Sequence, residues 1–200
     1  MVIKEIFTSL QGEGANFGMP ATFIRFAGCN LACDFCDTDF SSGDTYTLDT
    51  LTDAVRKGGV PNIIWTGGEP ALQLTPDIVT HFKRLGYRQA IETNGTRPVP
   101  EGLDYISCSP KVPVSVLWKH FGETQIGEYR YPVAPGLAVP SIDDLPPASH
   151  YFLSPIFTGT TLNGEKNDFS RRNLRLCLDL IRRDPRWRLS VQMHKFLHIQ

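Results

Sequence analysis

Short apolar runs alternate along this chain with stretches whose apolar residues recur at helical spacing. Residues 2–7 and 22–26 read as strands. Leu48, Leu51 and Val55 then follow a helical period, with Thr47 as N-cap and Gly58 past the end. Residues 62–66 (NIIWT) read as a buried strand entering the Gly67–Gly68 turn. The next helix is the clearest: Thr75 caps it, Pro76 takes its first position, Ile78, Val79, Phe82 and Leu85 face inward, and Gly86 stops it.

Residues 88–93 and 104–108 give two further strands, ending at Asn94–Gly95 and at Ser109-Pro110-Lys111. Residues 131–155 are Pro-rich, with a strand legible only at 151–153. Ser170 is placed to cap a last helix carrying Leu174, Cys177, Leu178 and Ile181, which must stop near Asp184–Pro185. A final strand is expected over 187–193. Strands alternating with helices predict parallel βαβ units. The polar motifs all follow strand C-termini, where such folds place their sites. There are too few helices for a full eightfold barrel.

Composition narrows the class. Two hundred residues suit one domain spanning 1–200, and 41% apolar content is enough for a core. A formal charge of −1 gives no electrostatic case for nucleic-acid binding. Arg171–Arg172 and Arg182–Arg183 read as a solvated helix face. Neither a signal peptide nor a membrane span is visible, and five cysteines with three crowded together do not resemble a disulfide framework. A cytoplasmic protein is expected.

The crowded cysteines carry the chemistry. Cys29, Cys33 and Cys36 stand in CNLACDFC, a CxxxCxxC spacing. Cluster irons are normally each held by a cysteine thiolate, so three thiolates leave one iron of a four-iron cluster open. A structural zinc site needs four ligands, the fourth from Cys108, His81 or a C-terminal histidine, and a ferredoxin brings all four thiolates itself. Cys108 and Cys177 are most simply buried small residues. About thirty residues downstream, Gly67-Gly68-Glu69-Pro70 follows a strand, where glycines admit a ligand close to backbone.

With both motifs in place the chain resembles the radical S-adenosylmethionine superfamily, which implies an incomplete (β/α) TIM-like barrel with few helices. The resemblance implies a 4Fe–4S cluster on Cys29, Cys33 and Cys36. Its open iron binds the methionine moiety of S-adenosylmethionine, whose reductive cleavage releases a 5′-deoxyadenosyl radical. It places Phe35 near the adenine and Gly67, Gly68 and Glu69 near the methionine amino group. Within the superfamily, SLQGEG (residues 9–14), FIRFAGCN (23–30), Cys36-Asp37-Thr38, ETNG (92–95), Ser109-Pro110-Lys111 and the late QMHK (192–195) resemble the 7-carboxy-7-deazaguanine synthases.

That resemblance implies contraction of 6-carboxy-5,6,7,8-tetrahydropterin to a deazapurine with loss of ammonia, on the route to queuosine-type bases, with S-adenosylmethionine used catalytically. It implies magnesium on Thr38, cofactor contacts from Asp37, Asn94, Ser109, Pro110, Lys111 and Ser154, a flavodoxin or ferredoxin as electron donor, and a homodimer. Arg25 suits a pterin carboxylate, because a guanidinium gives a bidentate charge-assisted contact; otherwise it is a surface strand Arg. Gln11, Gly12, Glu13 and Glu92 suit the aminopyrimidinone edge, although either glutamate could be an ordinary exposed acid. Thr66 either contacts substrate or only ends its strand. In the family a late histidine and the terminal carboxylate approach the substrate, which points to His194 and Gln200. Residues 112–148 carry no legible motif. The alternatives are a glycyl-radical enzyme activase and a non-catalytic zinc or iron–sulfur binding module.

Overall fold

The computed structural model of the chain describes residues 1–157 and 168–200. Among them nine strands form one sheet: β1 (Val2–Leu10), β2 (Pro20–Phe26), β3 (Asp44–Thr45), β4 (Asn62–Gly67), β5 (Arg88–Thr93), β6 (Tyr105–Cys108), β7 (Ile126–Val133), β8 (Ala148–Pro155) and β9 (Arg188–Leu189). Their order is β3-β1-β2-β4-β5-β6-β7-β8-β9. β1 runs antiparallel to β2 and β3, and every pairing from β2–β4 to β8–β9 is parallel. The helices are α1 (Leu48–Gly58), α2 (Pro76–Arg84), α3 (Val114–Phe121), α4 (Asp168–Arg183) and α5 (Met193–Leu197). β3 and β9 end the sheet without pairing to each other, which makes it the expected incomplete barrel. Isolated contacts cross that seam instead, among them the Gly14 N–H, which donates to Ser190 Oγ at 2.9 Å, and the Met193 N–H, which donates to the Gly12 carbonyl at 3.0 Å.

Alternation along the strands divides the sheet's two faces. On the helix side Ile24, Phe26, Ile63, Trp65, Ile91 and Cys108 join the main core, with Val55, Phe82, Leu117 and Cys177 from the helices. On the inner side Ala21, Phe23, Ile64 and Ala90 form a smaller apolar plug with Phe7. Arg25, Thr66 and Glu92 follow two residues later on the same strands. The inner face therefore passes from apolar to polar along the strand direction, and the site sits on the plug.

Trp65, fully buried, packs edge-on to Phe82 with ring centroids 5.5 Å apart and donates its indole N–H to Gln89 Oε1 at 3.1 Å. Trp65→Ala is expected to cost about 3–5 kcal/mol, measured by urea unfolding, because it opens a cavity and orphans Gln89.

Several expectations shift. The Thr47 cap of α1 is present as a capping box with Thr50, but the left-handed residue is Gly59 (φ 67°), so Gly58 ends the helix rather than follows it. Leu85 is 40% exposed, because α2 ends at Arg84 and Leu85 turns outward into the Gly86 stop. Leu178 is 38% exposed while its neighbour Cys177 is buried, and Ser170 lies inside α4, which begins at Asp168. The strand expected over 187–193 shortens to Arg188–Leu189 and gives way to α5. α3 and β7 lie in the stretch where no motif was legible. Among the described residues, no helix is long and apolar enough to cross a membrane.

Candidate active site

A cavity of about 630 Å³ opens at the C-terminal ends of the parallel strands. Of the site residues expected from sequence, all but Glu69 and Pro110 line it. Both exceptions are buried behind its wall.

One wall is the loop that follows β2. Cys29, Cys33 and Cys36 are free thiols facing the cavity. A turn closed by the Cys36 N–H on the Cys33 carbonyl (3.0 Å) sets the last two. Burial pushes the Cys33 thiol up; Lys111 opposes this and the neighbouring Cys36 and Cys29 add to it. Among the described residues no three His, Cys, Asp or Glu side chains gather as they would around a single ion. A cluster asks for something different, since each thiolate takes a separate iron. Cys108 lies buried on the helix side, and His81 is bonded to Thr52 Oγ1 at 2.9 Å, so neither closes a zinc site.

The end of β4 nests on this loop. A Cβ on Gly68 would collide with the Gly28 carbonyl, and one on Gly67 (φ 117°) with the Phe26 backbone. Glu69, fully buried, accepts from the Asn94 N–H (2.7 Å), the Thr93 hydroxyl (2.9 Å) and the Ala71 N–H (3.0 Å). Burial pushes its carboxyl up and these bonds offset only part of that. Its side chain therefore fastens β5 to the glycine turn from behind. Asn94 reaches Asn30 Oδ1 at 3.1 Å. Lys111 donates to Ser109 Oγ at 2.7 Å and stands over the Phe35 ring, 5.5 Å from its centre.

Asp37 accepts from Gln192 Nε2 (3.1 Å) and pairs with Lys195, so the late QMHK motif clasps the cysteine loop. Desolvation pushes the Asp37 carboxyl up, but Lys195 outweighs it and holds it below the ordinary range. Ser154 lines the cavity from β8.

The opposite wall is charged. Arg25 donates through Nε to Glu5 Oε1 (2.6 Å), and its Nη1 lies 3.5 Å from the Thr38 hydroxyl. Gln200 donates to the other Glu5 oxygen at 2.9 Å. Glu92 accepts from Gln11 Nε2 (3.0 Å), the Thr66 hydroxyl (2.8 Å) and Arg130 Nη2 (2.7 Å). Burial pushes the Glu92 carboxyl up; Arg130 and these bonds prevail and hold it below the ordinary range. Arg130 also pairs with Glu13. His194 sits against Gly12, where a Cβ would strike its Nδ1, and burial holds its imidazole below the ordinary value.

Sequence reasoning missed Glu5, Glu128 and Arg130. The signal for the last two was present in IGEYRYPV, where charged side chains alternate with aromatic ones on a single strand.

Residues 23–115 match the family profile of the Radical SAM superfamily. The 7-carboxy-7-deazaguanine synthase of Bacteroides thetaiotaomicron is 42% identical over 198 residues, covering 99% of this chain and 98% of that one. Its namesake from Haemophilus influenzae is 37% identical over 207 residues, covering 99% and 93%. The crystal structure of QueE from Escherichia coli matches the fold with a TM-score of 0.66 at 23% identity, over 96% of this chain and 93% of that one. Full-length identity at this level shows that the chain belongs to the 7-carboxy-7-deazaguanine synthase family of the radical S-adenosylmethionine superfamily.

Proposed function

We propose that this chain, acting as one catalytic domain, converts 6-carboxy-5,6,7,8-tetrahydropterin to 7-carboxy-7-deazaguanine with loss of ammonia, in queuosine-type deazapurine synthesis. One observation carries the reading. One cavity joins three free thiols on one wall to two guanidiniums, Arg25 and Arg130, and three carboxylates, Glu5, Glu13 and Glu92, on the other. Its volume falls within the range of small-molecule sites.

The donor set fits the groups this superfamily uses. Cys29, Cys33 and Cys36 supply thiolates, with no disulfide to compete. Gly67 and Gly68 keep the neighbouring wall free of side chains, and Phe35, Asn94, Ser109 and Lys111 offer an aromatic face and polar groups for S-adenosylmethionine. When bound, cluster and S-adenosylmethionine together supply a carbon-centred radical that takes one hydrogen and returns it. Thr38 offers a single hydroxyl to magnesium, whose other ligands then come from substrate and water.

The remaining residues bind and orient. Arg25, held by Glu5 through Nε and with Nη1 at the edge of reach of the Thr38 hydroxyl, turns its terminal nitrogens to the substrate carboxylate. Glu13 and Glu92, with Gln11 and Thr66 beside them, accept from the N–H groups of the aminopyrimidinone edge. His194, kept neutral by burial, adds a polar contact without a charge. Gln200 closes the Glu5 side. The stacked Phe7 and Phe23 rings, 5.0 Å apart, exclude water from below. The electron comes from a flavodoxin or ferredoxin, and the enzyme works in the cytoplasm as a homodimer.

The test is anaerobic. Reconstituted protein receives S-adenosylmethionine, reductant, magnesium and 6-carboxytetrahydropterin, and mass spectrometry follows the product. We expect 7-carboxy-7-deazaguanine without stoichiometric loss of S-adenosylmethionine. Release of 5′-deoxyadenosine with no deazapurine would discard the substrate.

A further inference from the structure

We infer that Glu128 and Arg130, two residues apart on the inner face of β7, are a buried positioning pair that fixes the direction in which Glu13 and Glu92 face the cavity. This rests on the reading of the cavity as a pterin site.

The burial is graded. The side chains of Glu128 and Arg130 are 3% and 6% exposed, those of Glu13 and Glu92 16% and 24%. Glu128 thus lies beneath the two carboxylates, and Arg130, almost wholly buried, reaches the cavity wall only at its edge beside them. Arg130 spends one terminal nitrogen on Glu13 and the other on Glu92. Its Nε lies 3.2 Å from Glu128 Oε1, an ion pair not aligned as a hydrogen bond. Glu128 is otherwise fully engaged: it accepts from the Ser107 hydroxyl (2.8 Å), the Tyr105 hydroxyl (3.0 Å) and the Ala15 N–H (2.8 Å). Through Ala15 it also holds the loop that carries Gln11 and Glu13, and the loop approaches so closely that a Cβ on Gly14 would enter the Glu128 carboxylate.

The chemistry follows. A planar fork can hold two carboxylates at a fixed separation, which the point charge of a lysine cannot. With Arg130 bound to both Glu13 and Glu92, their carboxylate oxygens are turned and held as acceptors, and the Glu92 carboxyl lies below the ordinary range. They suit a ligand edge that presents only N–H donors. Without the guanidinium, three carboxylates share one low-dielectric site and at least one takes a proton. A donor then faces the ligand where an acceptor is needed. The other titratable groups that feel this cluster include Lys111 after β6, Tyr105 and Cys108 on β6 and His194 on α5, and all of them are unchanged in the variants below.

The experiment uses the full chain with its cluster reconstituted, and 6-carboxypterin as an unreactive probe. R130K and R130Q are expected to weaken 6-carboxypterin binding about tenfold or more, with S-adenosylmethionine affinity within about twofold of wild type. In R130Q the lost affinity returns in part as pH rises, because the carboxylates regain their charge; the wild type lacks that extra dependence. E128Q keeps the shape and is expected to lose a smaller factor, about threefold, with the same selectivity; it carries the test if R130Q does not fold. Equal loss of both ligands, or pterin affinity and pH profile matching wild type, overturns the assignment. A wild-type protein that binds S-adenosylmethionine but no 6-carboxypterin fails earlier and overturns the pterin reading itself.

Discussion

Cys33→Ala is expected to yield a folded protein that holds no intact iron–sulfur cluster and makes no detectable product, a loss of at least roughly three orders of magnitude. The side chain is partly exposed on a surface loop, so the polypeptide fold does not depend on it and the apoprotein's stability should move by only about 0.5 kcal/mol. The cluster does depend on it. Two thiolates cannot replace three, and neither Cys108 nor Cys177 can reach the cavity from the helix side of the sheet. Burial pushes the Cys177 thiol up to about 12, further evidence that it belongs to the core. Cys177→Ala therefore serves as the control that keeps the visible absorbance of the cluster. Iron counting, electron paramagnetic resonance and turnover read the outcome. A Cys33→Ala protein with a full, active cluster would sink the ligand assignment.

Arg25→Met is the second large effect. Loss of a partly buried charge contact to the substrate carboxylate is expected to lower kcat/KM roughly 10²- to 10³-fold. The variant leaves Glu5 facing the cavity as an unpaired negative charge, which repels the substrate carboxylate as well. Arg25→Lys should recover little, because Arg25 serves Glu5 and the ligand at once through separate nitrogens. The discriminating measurement is a pterin without the 6-carboxylate: wild type and Arg25→Met should bind it equally. A variant that discriminates against it as strongly as wild type shows that the carboxylate is read elsewhere.

The βα half of the molecule was legible because local rules and tertiary demands coincide there. NIIWT is apolar on both faces, as a strand covered from both sides must be, and Thr75-Pro76 starts α2 by the rules of helix capping. The cysteine loop and the glycine turn were legible because few residue types can perform their roles. β7 was hidden for the opposite reason. Its IGEYRYPV mixes glycine, proline and charge with the aromatic residues, and the alternation reads as a buried strand only once Glu128 and Arg130, two residues apart, are seen paired on its inner face. Glu69 shows another limit: its motif marked the right place, but only coordinates separate a residue that faces the ligand from one that fastens the wall behind it. The strand expected over 187–193 ended early because Gln192 has its partner elsewhere, on Asp37, and the chain turns into α5 from Met193.

The open seam of the barrel has a dynamic consequence. No strand ladder holds it; isolated contacts do, among them the Gly14 amide, whose partner is 176 residues away, the Met193 amide, and the side chains of Gln192, Lys195 and Gln200. Contacts of such long range form late in folding. Few bonds hold them, so they also open at a lower free energy than the sheet beside them. Breathing at this seam moves the loop that carries Gln11 and Glu13 and loosens the clasp of Gln192 and Lys195 on Asp37, while β2 and β4 stay paired. In hydrogen exchange those two amides report local opening, and the amides of β4 report global unfolding.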